Sequence, residues 1–406
     1  MSERYVGAWE QAGLFNPLNA PSGSPYQQYG GTWTLSQASD AVAQGKWPSP
    51  SAPHLYAWGE NNTSGQLGLN NTNYYSSPKQ VGSLTNWSNV SGGNGFSLST
   101  KTDGTLWSIG GQNNFGQLGL GNITYYSSPK QIGSLTNWST VSAGYYFSLG
   151  LKTDGTLWSW GNNASGQLGL SNVTSYSSPK QVGALTTWIF ICAGYSRGFG
   201  ILSNNTLWSW GNNANGALGL GNLTAYSSPK QIGSLTNWAS VSSGQLHAVA
   251  TKTDGTLWVW GYNGYGELGL GNTTNYSSPK QVGILNNWSS AKAGYQSTIA
   301  LKTDGTLWAW GDNGYGELGQ GNTTNYSSPK QVGSLTNWYK FAYPSLGRHV
   351  LSIKTDGTLW SWGQNLYGEL GLNNSTAFSS PKQVGNLTTW LNVATGYQFS
   401  FGIAKT

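Results

Sequence analysis

From His54 to the last residue the chain repeats one passage of about 50 residues seven times. The glycines that close its W-x-W-G motif, or the nearest equivalent, fall at Gly59, Gly110, Gly161, Gly211, Gly261, Gly311 and Gly363, in steps of 50 to 52. A unit this short cannot bury its apolar faces alone, so units of this length stack into arrays. Length then says little about domain number, because a closed propeller holds several hundred residues in one unit.

Residues 150–200 show the pattern. Asp154-Gly155 reads as a hairpin turn supplying the positive φ values of a two-residue connection. Thr156 to Trp160 alternates, with Trp158 and Trp160 on one face and Leu157 and Ser159 on the other. Both faces are useful only if both are buried, as in stacked blades. A Gly- and Asn-rich loop follows from Asn162 to Ser178, and Pro179 to Val182 reads as a returning strand with Pro at its first position. Trp188–Ala193 and Phe199–Leu202 complete four antiparallel strands. The expected fold is an all-β, seven-bladed β-propeller. His54–Trp58 lacks a preceding strand and Phe401–Thr406 lacks a following one, so N- and C-terminal strands are expected to pair and close the ring. The domains are a short, mostly irregular arm over residues 1–53 and the propeller over 54–406.

Charged residues make up 8% of the chain, against 59 Gly, 22 Trp and 23 Tyr, which suits short strands, tight turns and large rings between sheets. The formal charge of +6 resides in the repeats, since residues 1–53 carry a net −1. Lys79, Lys130, Lys180, Lys230, Lys280, Lys330 and Lys382 occur once per repeat in SSPKQ, a ring of single charges. Nucleic-acid binding wants a dense basic stripe, so no nucleic-acid partner is expected. Cys192, the only cysteine, lies in an apolar run and reads as a small buried residue. No stretch approaches 18 apolar residues, so no membrane insertion is expected.

The string Leu157-Trp158-Ser159-Trp160-Gly161-Asn162-Asn163-Ala164-Ser165-Gly166-Gln167-Leu168-Gly169, preceded by Thr153-Asp154-Gly155, resembles the repeat of the regulator-of-chromosome-condensation family. The resemblance covers about 350 residues and implies the propeller fold. It says less about function, because the family includes exchange factors, chromatin binders and secreted inhibitors. A His often stands seven residues before the Asp-Gly turn in that family. Here His247 and His349 match, while Phe96, Phe147, Arg197 and Ser297 replace it. The protruding wedge of the exchange factors has no counterpart of sufficient length.

Outside the repeats, Gly30-Gly31-Thr32-Trp33-Thr34-Leu35-Ser36 and Ala43-Gln44-Gly45-Lys46-Trp47-Pro48 are similar to segments of bacteriophage virion proteins. Ser36 can cap a helix near residues 36–44, too short to hold alone in water. The arm, through Trp9, Trp33 and Trp47, is therefore expected to anchor the chain to other virion proteins, giving a multimeric particle component.

Enzymatic signatures are missing. His54, His247 and His349 are far apart, no metal-ligand spacing occurs, and the recurring Asp103, Asp154, Asp254, Asp304 and Asp356 sit in turns. No catalysis and no cofactor are expected. Strand direction puts the Asn/Gly loops and the Ala-Gly-Tyr turns on one face, which varies between repeats. At one position of that face the repeats read Gln66, Gln117, Gln167, Ala217, Glu267, Glu317, Glu369; two residues earlier they read Ser64, Phe115, Ser165, Asn215, Tyr265, Tyr315, Tyr367. Three adjacent blades thus pair Tyr with Glu in an aromatic, acidic arc suited to sugar rings or a basic protein patch. Beside it, Pro344 to His349 replaces the ordinary turn and adds Arg348 and His349 to the expected binding residues. The ring of Tyr75, Tyr126, Tyr176, Tyr226, Tyr276, Tyr326 and Phe378 is too regular to select a ligand and reads as packing.

The expectation is a non-enzymatic virion protein, held by its arm, whose propeller face meets a host surface glycan or protein or a neighbouring virion protein. A soluble inhibitor or scaffold of the same repeat family is the alternative.

Overall fold

The computed structural model describes residues 52–62 and 65–405, together with the two-residue strands Arg4–Tyr5 and Trp33–Thr34, which pair antiparallel. The helix expected near residues 36–44 lies outside the described residues. Residues 53–406 form one compact unit of seven four-stranded antiparallel sheets.

Each blade takes its two axial strands from one repeat and its two outer strands from the passage that follows. In blade 2 the order from the axis outward is Trp138–Ala143, Phe147–Lys152, Leu157–Gly161, Tyr176–Gln181. Blades are numbered in chain order of their axial strands: Trp87–Gly92, Trp138–Ala143, Trp188–Ala193, Trp238–Ser243, Trp288–Ala293, Trp338–Ala342 and Trp390–Thr395. The seventh closes the ring. Trp390–Thr395 and Phe399–Lys405 join Pro53–Gly59 and Tyr75–Thr85, with Leu55 opposite Ile403 and Ala57 opposite Phe401. No free edge is left between first and last blades.

Burial explains the strand chemistries. In blade 2 the second strand is buried at every residue, whereas the outermost is half-buried or exposed throughout. Apolar layers lie between blades: Leu149 and Leu157 of blade 2 meet Trp188, Ile191 and Trp210 of blade 3. The second Trp of W-x-W-G also staples blades together. Trp210 Nε1–H donates to the carbonyl of Gln167 at 2.9 Å, and Trp260 to that of Ala217 at 2.9 Å. The same bond recurs at Trp58, Trp160, Trp310 and Trp362; blade 1 has Ile109 there and lacks it.

Three sequence expectations change. In the Asp-Gly turn only the glycine is left-handed (Gly155 φ 76°), and the loop is the three-residue form closed by Lys152 and Thr156. Asp154 acts through its carboxylate, which accepts from the Thr156 amide at 3.0 Å and the Thr156 hydroxyl at 2.6 Å. Pro179 stands fourth in its strand, tolerated because that strand is the blade's outer edge. Cys192 is half-buried along the axial channel. The lysine ring does stand on the regular aromatic ring, with Lys180 Nζ 5.5 Å from the Tyr176 ring centre.

Candidate functional site

The face where the W-x-W-G strands end, here the upper face, carries the variable chemistry. Each loop there is organised by an Asn two residues after the motif glycine, or three in blade 1, where Asn113 follows Gly110. Asn263 Oδ1 accepts from the Leu268 amide at 2.9 Å, while its Nδ2 donates to the Asn272 and Thr274 carbonyls. A second cap holds the tip: Glu267 Oε2 accepts from the Tyr265 amide at 2.8 Å, Glu317 Oε2 from Tyr315 at 2.8 Å and Glu369 Oε2 from Tyr367 at 2.7 Å. Gln117 and Gln167 do the same with Oε1 for Phe115 and Ser165. Gln and Glu alternate at this position because either supplies the capping oxygen.

The carboxylates are consequently not displayed as an exposed acidic arc. Glu267, Glu317 and Glu369 are at most 1% exposed, and burial pushes each carboxyl up to about 7, with the backbone amides opposing. The tyrosines two residues earlier do face outward: Tyr265 and Tyr315 are 41% and 42% exposed, and Tyr367 is half-buried under the edge of Tyr74.

Arg348 and His349 part company. Arg348 reaches back to blade 5, where its Nη1 donates to Asp312 and to Glu317 Oε1 at 3.2 Å, and its Nη2 to Gln296 Oε1 at 2.8 Å. Its guanidinium lies 4.8 Å from the Tyr295 ring centre and 5.3 Å from that of Tyr315. His349 is fully buried, bonds Ser400 Oγ at 3.0 Å and is held near pKa 3 by burial, so it stays neutral and offers the surface nothing. His247 repeats this role against Thr298. Of the expected anchors, Trp9 and Trp47 lie outside the described residues, and Trp33 is described only as the backbone of its two-residue strand.

A second aromatic group was not singled out from sequence. The Ala-Gly-Tyr turns place Tyr145, Tyr195 and Tyr295 on the upper face, and Thr395-Gly396 places Tyr397 there. Tyr145 stacks on Tyr195 with ring centres 4.5 Å apart and touches Tyr146, which packs on Phe115. Burial and neighbouring phenols hold the Tyr145 hydroxyl well above its ordinary value. The signal was a Tyr after Ala-Gly in three of seven repeats and after Thr-Gly in a fourth; it forms no run of three adjacent repeats, which hid it. The axial channel, about 320 Å³, is walled by the axial strands and contains Lys292.

Charge is sorted by face. The upper end holds Glu60, Glu267, Asp312, Glu317 and Glu369 against two arginines, Arg348 and the fully buried Arg197, which donates to the Asn212 and Gln245 carbonyls. The lower turns pair each aspartate with a lysine two residues before it, and those lysines stack on tryptophans, as Lys152 does on Trp158 at 3.9 Å. Among the described residues no three His, Cys, Asp or Glu side chains converge as a metal site. No helix among them is long and apolar enough to cross a membrane.

A closed propeller with one tyrosine-rich, acid-bearing face belongs to the class of repeat proteins that present binding surfaces. Models of the Regulator of chromosome condensation (RCC1) repeat match residues 54–99, 103–151, 154–199, 204–251, 254–301, 304–349 and 356–403, and the chain belongs to that family. The Regulator of chromosome condensation of Xenopus laevis is 33% identical over 113 residues, 27% of this chain and 26% of that protein. Among solved structures, human WBSCR16 superposes with a TM-score of 0.78 at 22% identity, covering 87% of this chain and 99% of that one. Yeast RCC1 (Prp20), solved bound to Kap60, gives 0.77 at 20% identity, covering 88% and 90%. Identities this low carry the fold alone.

Proposed function

We propose that this chain is a non-enzymatic binding and assembly protein of the virion, attached through residues 1–53 and presenting the upper propeller face to a host surface glycan or a neighbouring virion protein. The observation that carries the recognition half is the sorting of chemistry by face. One end of the propeller holds the tyrosine group and five carboxylates against Arg348 and the buried Arg197, while the lower end repeats the same Asp–Lys turn. Exposed rings beside polar anchors suit both saccharide stacking and protein contacts. The assembly half rests on the arm, which falls outside every family match and carries the Gly30–Pro48 segment similar to virion proteins.

The test is a paired capture. Full-length chain and residues 53–406 are each offered disrupted virions and intact candidate host cells, with Tyr145→Ala/Tyr195→Ala as a face variant. Virion capture lost with the arm and cell or protein capture lost with the tyrosines supports both halves. Capture of one soluble protein that survives arm removal replaces the virion reading with an inhibitor or scaffold.

A further inference from the structure

The three Tyr–Glu loops are built alike but are not in the same state. In blade 5 the glutamate is satisfied twice: Glu317 Oε2 by the Tyr315 amide and Oε1 by Arg348. In blades 4 and 6 the corresponding oxygens, Glu267 Oε1 and Glu369 Oε1, are buried without a hydrogen-bond partner among the described residues. Their side chains are 1% and 0% exposed. The residue matching Arg348 is known from the backbone, because its carbonyl accepts from the first loop residue of its own blade. Arg348 accepts from Gln364, as Gln296 does from Asp312 and Gln398 from Glu60. Gln296 and Gln398 therefore stand where an arginine would have to be to satisfy Glu267 and Glu369 from within the chain.

We propose, resting on the upper face being the recognition surface, that Glu267 and Glu369 form two vacant arginine sockets filled by guanidinium groups of a protein partner. The chain fills the middle socket itself, and that filled socket gives the chemistry: a guanidinium bonded to a buried carboxylate oxygen, against the loop tyrosine. Tyr265 and Tyr367 supply that ring in the vacant pair. A second carboxylate acts on each from the neighbouring loop, Asp312 on Glu267 and Glu60 on Glu369. The desolvation cost of both carboxyls is already present in the free protein, so an arriving guanidinium recovers it. Arginine is preferred to lysine because its planar fork can bond the carboxylate while its face stacks on a ring.

The experiment uses full-length protein and three fluorescein-labelled probes, (Gly-Arg)4, (Gly-Lys)4 and (Gly-Gln)4, read by anisotropy. The arginine peptide is expected to bind several-fold tighter than the lysine peptide, and the glutamine peptide not at all. The pair Glu267→Gln/Glu369→Gln should weaken the arginine peptide at least tenfold and abolish its preference over lysine. Gln keeps the loop cap, as Gln117 and Gln167 show, so melting temperature verifies an intact fold. Asp154→Asn removes a carboxylate from the lower face, in a turn that Asn204 closes with the same bonds in blade 3, and should change affinity less than twofold. Gln398→Arg should fill one socket from within, raising the melting temperature and weakening the peptide. No arginine-peptide binding, equal binding by the double variant, or an equal loss in Asp154→Asn overturns the sockets. If the sockets fail while virion or cell capture still depends on Tyr145 and Tyr195, the recognition face stands without them.

Discussion

Arg348 Nη1 sits 3.2 Å from Glu317 Oε1, and the same guanidinium bonds Asp312, so one side chain from blade 6 neutralises two buried carboxylates of blade 5. Burial raises the Glu317 carboxyl and Arg348 pulls against it. Removing the arginine leaves both acids with little water and no counter-charge. Arg348→Met should therefore cost about 3 kcal/mol in urea unfolding. Adding Glu317→Gln should return more than half of it, since Gln is the resident of this position in other blades. Equal stability of the single and double variants would show that the ion pair is not what holds these loops.

Tyr343 and Ser297 exchange places with an ordinary blade. Elsewhere a large residue, such as Phe147 or Phe399, opens the second strand and fills the space under a turn glycine. Blade 5 opens with Ser297, and Tyr343 from the next blade fills that space, its hydroxyl bonded to Ser297 Oγ and its ring against Gly294. Ser297→Phe alone should overpack and cost about 2 kcal/mol. Tyr343→Ala alone should leave a cavity and cost about 4 kcal/mol. Together they restore the usual pattern, so the double variant should be more stable than the sum of singles by over 1 kcal/mol. Simple additivity in denaturant unfolding would refute the exchange.

The indole staples separate packing from hydrogen bonding. Trp310 and the Thr298 hydroxyl both donate to the Glu267 carbonyl, whereas Trp210 alone among side chains donates to that of Gln167. Phe at either position loses the same volume, but only Trp210→Phe strips the carbonyl of its side-chain donor. Trp210→Phe should be the more destabilising by about 1 kcal/mol. Calorimetric midpoints that coincide for the two variants would assign the staples to packing alone.

The fold was legible because the repeat states it seven times, and because His54–Trp58 and the terminal strand each lacked a neighbour. The candidate site was half legible. The Tyr–Glu column is a true structural column, but its spacing cannot tell a capping carboxylate from a displayed one; that depends on Oε2 reaching an amide two residues back. Arg348 and His349 are adjacent in sequence and opposite in fate, because successive residues around a strand's first position point to different environments. The turn tyrosines Tyr145, Tyr195, Tyr295 and Tyr397 form no run of three adjacent repeats, so a search for one passed over them.

Acid and base should act on this propeller in opposite senses. The folded state holds Glu267 and Glu369 near 7, against 4.5 for an ordinary glutamate; burial is the main cause, Asp312 and Glu60 add to it, and the loop amides oppose it. Their contribution is present below pH 4.5 and is lost as pH rises through 7. His247 and His349 run the other way. Burial holds them near 3, against 6.5 for a free histidine, with Arg197 adding to the effect at His247. Their contribution is present above pH 6.5 and is lost as pH falls toward 3. Glu317 is held near 7 as well, so between pH 4.5 and 6.5 three carboxyls outweigh two imidazoles and wild-type stability should fall by about 2 kcal/mol. The turn aspartates, lowered by their Thr bonds, act only below about pH 3.8. In Glu267→Gln/Glu369→Gln only Glu317 still opposes the histidines, so stability from urea unfolding should instead climb by roughly 1–3 kcal/mol from pH 4.5 to 6.5. A variant whose profile runs parallel to that of wild type across that window would mean that the two carboxylates titrate like exposed ones, and that they are not the buried, unpaired acids on which the arginine sockets depend.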